Sequence, residues 1–252
     1  MNLKDKTVVV TGGSRGLGLG LTEALVARGA RVTVVARDID ALEAVRLRLG
    51  VDTIAADVTD EAAAKRILTE ISPDILALNA GMPPPMGRLE EISWAAFTAT
   101  WETDVKAGLY WLQAALNLPL KPTSRVLVGS SGAAVNGSPL SGGYAGAKRM
   151  LWFMARYANG VSEHKKLGIR FQVIVPQQMV LGTGTGNAGA NAYALAQGIT
   201  PEVFVERFGS PMPPRDFGEK IVSLLEDPQY AESIAFGLKG DSGITILEEA
   251  AA

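Results

Sequence analysis

Short apolar runs alternate along the chain with stretches of helical spacing. Thr7 to Val10, Arg31 to Val35, Thr53 to Ala55, Ile75 to Leu78, Val126 to Val128 and Phe171 to Val175 have strand length and strand composition, and Ser233 to Phe236 is a weaker seventh run. Between them lie helical patterns such as Leu21, Leu25 and Val26, and a long helix is predicted from Phe97 to Leu118. Strands alternating with helices predict an α/β fold: a doubly wound, mostly parallel sheet of about seven strands, with helices on both faces and right-handed crossovers. Ligands of such sheets bind beyond the carboxyl ends of the strands, near the point where strand order reverses. Residues 182 to 198 are rich in Gly, Asn, Ala and Thr. They read as a mobile segment and, extended to residue 208, as a substrate lid; the alternative is a plain exposed loop.

Two groups of residues with recognisable chemistry sit at these strand ends. After the first apolar run comes Thr11-Gly12-Gly13-Ser14-Arg15-Gly16-Leu17-Gly18, followed by a helical pattern. Strand, glycine turn and helix in that order make a dinucleotide-binding (Rossmann) fingerprint. Gly12 permits the tight turn, Gly16 lets backbone approach a pyrophosphate, and Gly18 permits close packing of helix on sheet. The second group is Ser131, Tyr144 and Lys148. If Tyr144 opens a helix, Lys148 lies one turn later on the same face. A tyrosine with an ordinary pKa of about 10 is a poor acid or base near neutrality until a nearby cation favours its phenolate, which Lys148 supplies. Ser131 is placed to donate to a substrate oxygen while Tyr144 exchanges its proton.

Together these residues resemble the short-chain dehydrogenase/reductase family, in the branch with subunits of this length, over roughly residues 5 to 180. The match comprises the glycine pattern, Asp57-Val58, Asn79-Ala80-Gly81, and Ser131, Tyr144 and Lys148. The resemblance implies that Asp57 and Val58 contact the adenine, that Asn79, Ala80 and Gly81 close a strand end against the cofactor, and that Ser131, Tyr144 and Lys148 are the catalytic set. It also implies that Pro176 and Met179 lie beside the nicotinamide, and that helices around 97–118 and 143–160 build a homodimer or homotetramer. Aromatic and methionine residues do crowd Met150 to Tyr157, and Tyr110-Trp111 lies on the preceding helix.

Charge bears on the cofactor. Arg37 follows the second apolar run directly, where an arginine accommodates the 2'-phosphate of NADP and an acidic residue selects NAD. Arg15 closes from the glycine turn, and two guanidiniums suit a dianionic group. NADP(H) is therefore the expected cofactor, with NAD(H) open because a one-residue shift of the strand end would put Asp38 on the ribose.

Two departures from the family pattern bear on the chemistry. Asp104 aligns with the family's helix asparagine, which helps hold a water-linked proton path to the lysine. A carboxylate there accepts but does not donate, and its charge acts on Lys148 and Tyr144. The alternative places Asp104 on solvent. In Pro176-Gln177-Gln178-Met179, Gln177 replaces the family's permissive glycine, and Leu181 stands where a phosphate-contacting threonine is common, with Thr183 or Thr185 as substitutes.

Composition narrows the field. The 252 residues, 47% hydrophobic, suffice for one domain spanning 1–252. A formal charge of -2 gives no electrostatic case for nucleic acid or an anionic membrane. The chain has no cysteine, which excludes disulfides and thiolate metal sites, and no metal site is expected. The absence of a leader or a long apolar span points to the cytoplasm. The lone His164 reads as a helix-end cation. Met82 to Pro85, Ala133 to Val135 and Met179 to Leu181 make an apolar pocket lining, with Gln177 and Gln178 for a polar end. The expected activity is NADPH-dependent reduction of a ketone or aldehyde, reversible as alcohol oxidation. A non-catalytic NADP(H) sensor is the main alternative, and epimerisation or dehydration on the same scaffold a third.

Overall fold

The computed structural model describes residues 1–210 and 212–247; residue 211 and residues 248–252, part of the expected 1–252 domain, lie outside the described residues. The strands are β1 (Thr7–Thr11), β2 (Arg31–Ala36), β3 (Asp52–Ala55), β4 (Ile75–Leu78), β5 (Arg125–Gly129), β6 (Arg170–Pro176), β7 (Ala235–Lys239) and β8 (Gly243–Ile246). They form one sheet in the order β3-β2-β1-β4-β5-β6-β7-β8. The first seven are parallel to their neighbours, as the alternating pattern predicts. β8 is an addition the sequence reading lacks: a four-residue strand antiparallel to β7. β7 also starts later than the run Ser233 to Phe236 suggests. The carbonyls of Tyr230 and Ser233 are taken by the Gln172 side-chain amide at 3.0 and 2.8 Å, ahead of regular pairing with β6.

The helices are α1 (Gly16–Ala27), α2 (Ile39–Leu49), α3 (Glu61–Ile71), α4 (Trp94–Thr100), α5 (Lys106–Asn117), α6 (Ala133–Asn136), α7 (Tyr144–His164), α8 (Gly184–Gln197), α9 (Pro201–Val205) and α10 (Pro214–Glu226). Strand side chains alternate between the two faces. Val8 and Val10 join one core with Leu21 and Leu25 of α1 and Ile221 and Leu225 of α10. Val9 joins the other with Ile67 of α3, Trp111 of α5 and Leu151 and Trp152 of α7. α1 and α10 approach at Gly20 and Gly218, where an added Cβ would lie 1.8 Å from the Pro214 carbonyl oxygen and 2.1 Å from that of Gly20.

Two segments differ from their sequence reading. The expected helix from Phe97 to Leu118 begins earlier, capped by Ser93, whose hydroxyl accepts from the Ala96 amide at 3.2 Å, and is interrupted by one π turn, Trp101–Val105. Residues 182–198, read as a mobile segment, form α8. Five alanines favour helix, Thr183 caps its start by accepting from the Gly186 amide, and Gly198 ends it in the left-handed region.

Candidate active site

Strand order reverses between β1 and β4, and the carboxyl ends of β1, β2, β4, β5 and β6 open there onto a cleft of about 800 Å³. At one end lies the glycine turn. Gly12 has φ +68, and an added Cβ would lie 2.8 Å from the Ala80 Cα. Thr11 anchors the turn to the end of β4: its hydroxyl donates to the Ala77 carbonyl and accepts from the Asn79 and Ala80 amides at 3.1 and 3.2 Å. The Asn79 side chain donates to the Gly12 carbonyl at 3.4 Å. Gly18 is the one expected cofactor residue off the cleft wall. It packs beneath the turn, where a Cβ would lie 2.2 Å from the Gly12 carbonyl oxygen, as its helix-packing role requires. No side chain caps the first turn of α1, so its amides face the cleft without a protein side-chain acceptor. Such a terminus suits a phosphate.

Arg15, Arg37, Asp57 and Val58 line the same end. Arg37 directly follows β2, while the Asp38 carboxylate caps α2 by accepting from the Ala41 amide at 3.0 Å. Arg37 lies 3.9 Å from Asp57, both well exposed. The backbone amide of Thr59, with its hydroxyl, holds the Asp57 carboxyl below its usual range. Trp111 fixes the neighbouring backbone by donating to the Val58 carbonyl at 3.0 Å.

At the other end Tyr144 is the first residue of α7, as its spacing to Lys148 requires. The π turn and α4 clamp that helix start: the Gly143 amide donates to the Phe97 carbonyl, and the Trp101 indole donates to the Gly143 carbonyl, each at 3.1 Å. Lys148 is buried, its ammonium 5.6 Å from the Tyr144 ring centre and 3.0 Å from Asp104 Oδ2. Asp104 Oδ1 accepts from the Met82 amide at 3.0 Å. Asp104 is therefore buried in the π turn between α7 and the Asn-Ala-Gly turn, and the solvated alternative is excluded. Burial works against the Lys148 charge, but the neighbouring Asp104 carboxylate and Tyr144 outweigh it and hold the lysine pKa above its ordinary value.

Ser131 follows β5 and lines the cleft with Tyr144, and its hydroxyl accepts from the Ala133 amide at 3.2 Å. The adjacent Ser130 hydroxyl donates to the Lys148 carbonyl, tying this loop to α7. Pro176, Gln177, Gln178 and Met179 close the cleft from β6. Gln177 stands in for glycine without left-handed backbone. Its side chain packs on Gly237, which has no room for a Cβ. The Gln178 side chain is buried, donating to the Ser210 carbonyl at 2.8 Å and accepting from the Gly240 amide at 2.6 Å. Met82, Pro83, Pro84, Ala133, Met179 and Val180 line the cleft as expected, whereas Pro85, Ala134, Val135 and Leu181 stand outside it. Sequence reasoning missed Ser138, Tyr193, Phe204 and Phe208, which complete the wall. His164 is exposed in the last turn of α7, away from the cleft.

Comparison with known proteins places this geometry in context. The family model for short chain dehydrogenases matches residues 6–189. The short chain dehydrogenase/reductase AacuD of Aspergillus aculeatus is 34% identical over 156 residues, 58% of this chain and 55% of that protein. The 2,5-dichloro-2,5-cyclohexadiene-1,4-diol dehydrogenase of Sphingobium indicum is 28% identical over 98% of this chain and 99% of its own. The levodione reductase of Leifsonia aquatica is 26% identical over 94% and 89%.

Proposed function

The chain belongs to the short-chain dehydrogenase/reductase family, and on that footing we propose that it is an NADPH-dependent carbonyl reductase, reversible as an alcohol dehydrogenase, for largely apolar substrates. Family membership makes it an oxidoreductase of alcohol and carbonyl groups that uses a nicotinamide dinucleotide. The observation that carries the finer reading is the buried Tyr144, Lys148 and Asp104 cluster sharing one cleft with an uncapped α1 terminus and the glycine turn.

The residues fit the dinucleotide. Gly12, Ser14, Gly16 and Leu17 form the phosphate cradle, Asp57 and Val58 take the adenine end, and Asn79, Ala80, Gly81, Pro176 and Met179 flank the nicotinamide. A nicotinamide bound here gives or takes hydride at the substrate carbon. Tyr144 gives the proton to the substrate oxygen in reduction and removes it in oxidation, Ser131 donates a hydrogen bond to that oxygen, and Lys148 holds positive charge beside Tyr144 and anchors the ribose. Asp104 holds Lys148 in place. Arg37 directly after β2, Arg15 at the same end of the cleft and the engagement of Asp38 as a helix cap all support NADPH over NADH.

The apolar wall of Met82, Pro83, Met179, Val180 and Phe204 supports a hydrophobic ketone or aldehyde. The names of the diol dehydrogenase and levodione reductase relatives fit alcohol and carbonyl chemistry more generally. With it we propose a single domain, residues 182–208 as substrate lid, a cytoplasmic location and a homodimer or homotetramer. Among the described residues no helix is long and apolar enough to cross a membrane. Exposed Trp101, Leu109, Tyr157 and Val161 on the π turn, α5 and α7 support the oligomer. The test follows NADPH and NADH consumption against ketones, aldehydes and 3-oxo esters. Turnover with NADPH supports the reductase; saturable NADPH binding with no carbonyl consumed favours a nucleotide sensor.

A further inference from the structure

The proposed lid contributes one member of a hydroxyl pair on the cleft wall that the reductase chemistry leaves unused. Tyr193 of α8 stacks on Phe204 of α9, ring centres 5.4 Å apart, and both line the cleft. The Tyr193 hydroxyl lies 2.8 Å from the Ser138 hydroxyl and accepts from the Leu140 amide at 3.2 Å. Ser138 sits on the loop between Ser131 and Tyr144 and also lines the cleft.

Counting protons gives this pair a consequence. Two hydroxyls carry two protons, and their mutual hydrogen bond uses one, whichever is the donor. Leu140 supplies a proton to the pair and takes none. Among the described residues neither hydroxyl has a further acceptor. One O–H therefore remains available on the cleft wall beside the Phe204 ring. The pair is half-buried, so a substrate that covers it must bring an oxygen to the spare O–H or leave that donor unpaired, and one that brings the oxygen is favoured.

We propose that Ser138 and Tyr193 form a second polar subsite that reads a second oxygen on the substrate, so that the preferred substrates are hydroxyketones or diketones on an apolar frame rather than simple ketones. This rests on the carbonyl reductase reading. Ser138 and Tyr193 act on the substrate away from the reacting carbonyl, and their removal changes selectivity and leaves the chemistry intact.

The test compares cyclohexanone with 2-, 3- and 4-hydroxycyclohexanone, NADPH saturating, for the native protein, Ser138→Ala, Tyr193→Phe and the double variant. The native protein should favour at least one hydroxyketone by about tenfold in kcat/KM. Each single variant keeps one hydroxyl, so part of the preference survives; the double variant should lose it, the hydroxyketone-to-cyclohexanone ratio of kcat/KM falling to about one. If the pair only fastens the lid, all substrates fall together in the variants, which overturns the subsite. Equal native kcat/KM for all four compounds also overturns it while leaving the reductase reading standing. Turnover of none of them overturns both.

Discussion

At the residue scale, the decisive substitution is the carboxylate at position 104. One Asp104 oxygen takes the Met82 amide and the other faces the Lys148 ammonium. An asparagine has a single acceptor oxygen and must surrender one of these partners. Asp104→Asn should remove the carboxylate that keeps the buried Lys148 charged, leaving burial to work against that charge. The pH dependence of alcohol oxidation should therefore differ from that of the native protein. A profile unchanged across pH would remove Asp104 from the mechanism. Arg37→Glu should weaken NADPH more than tenfold while changing NADH little, as measured by equilibrium binding of each; equal losses would sink the NADPH assignment. The Ser131, Tyr144 and Lys148 spacing and the glycine turn are legible in sequence because they are local: a helical repeat and a strand-turn-helix. Tyr193 and Ser138 were not, since they lie 55 residues apart and only the fold brings α8 against the loop before Tyr144.

At the element scale, seven strands and the major helices follow from apolar spacing because their side chains feed two continuous cores. The elements that escape that pattern are those with little to bury. β8 is four residues at the sheet edge with exposed side chains at its end. α8 is a helix of alanine and glycine whose composition resembles a loop. The π turn has no sequence period of its own, yet it carries Asp104 to Lys148. Close backbone contact between α1 and α10 makes a sharp prediction. Gly218→Ala pushes a methyl group against the Gly20 carbonyl, a backbone atom without freedom to swing aside. Urea unfolding should show a loss of about 1–3 kcal/mol. Gly160→Ala, in a helix with open space around it, should not destabilise.

At the scale of the whole molecule, the Asp104 and Lys148 pair beneath the cleft links stability to pH. The native Lys148 pKa is raised, so its contribution to stability is fully present below the ordinary lysine value of 10.5 and is lost as pH rises through the higher native value. The stability difference between the native protein and an Asp104→Leu/Lys148→Met double variant should therefore stay flat from about pH 7 to about pH 10 and change only beyond. A difference that drifts through the neutral range would contradict the ion pair. Sedimentation at working concentration should give a dimer or tetramer through the α5 and α7 faces; a monomer would refute that assembly.

The most direct measurement is single-turnover hydride transfer from bound NADPH to a cyclic ketone in the native protein and in Tyr144→Phe, with NADPH affinity determined in parallel. The substitution keeps the ring and removes only the hydroxyl that carries the proton. The rate should fall by about 10²–10⁴-fold with NADPH affinity nearly unchanged. A Tyr144→Phe protein that reduces the ketone at the native rate would contradict the assignment of Tyr144 as the acid, and with it the proposed chemistry of the cleft.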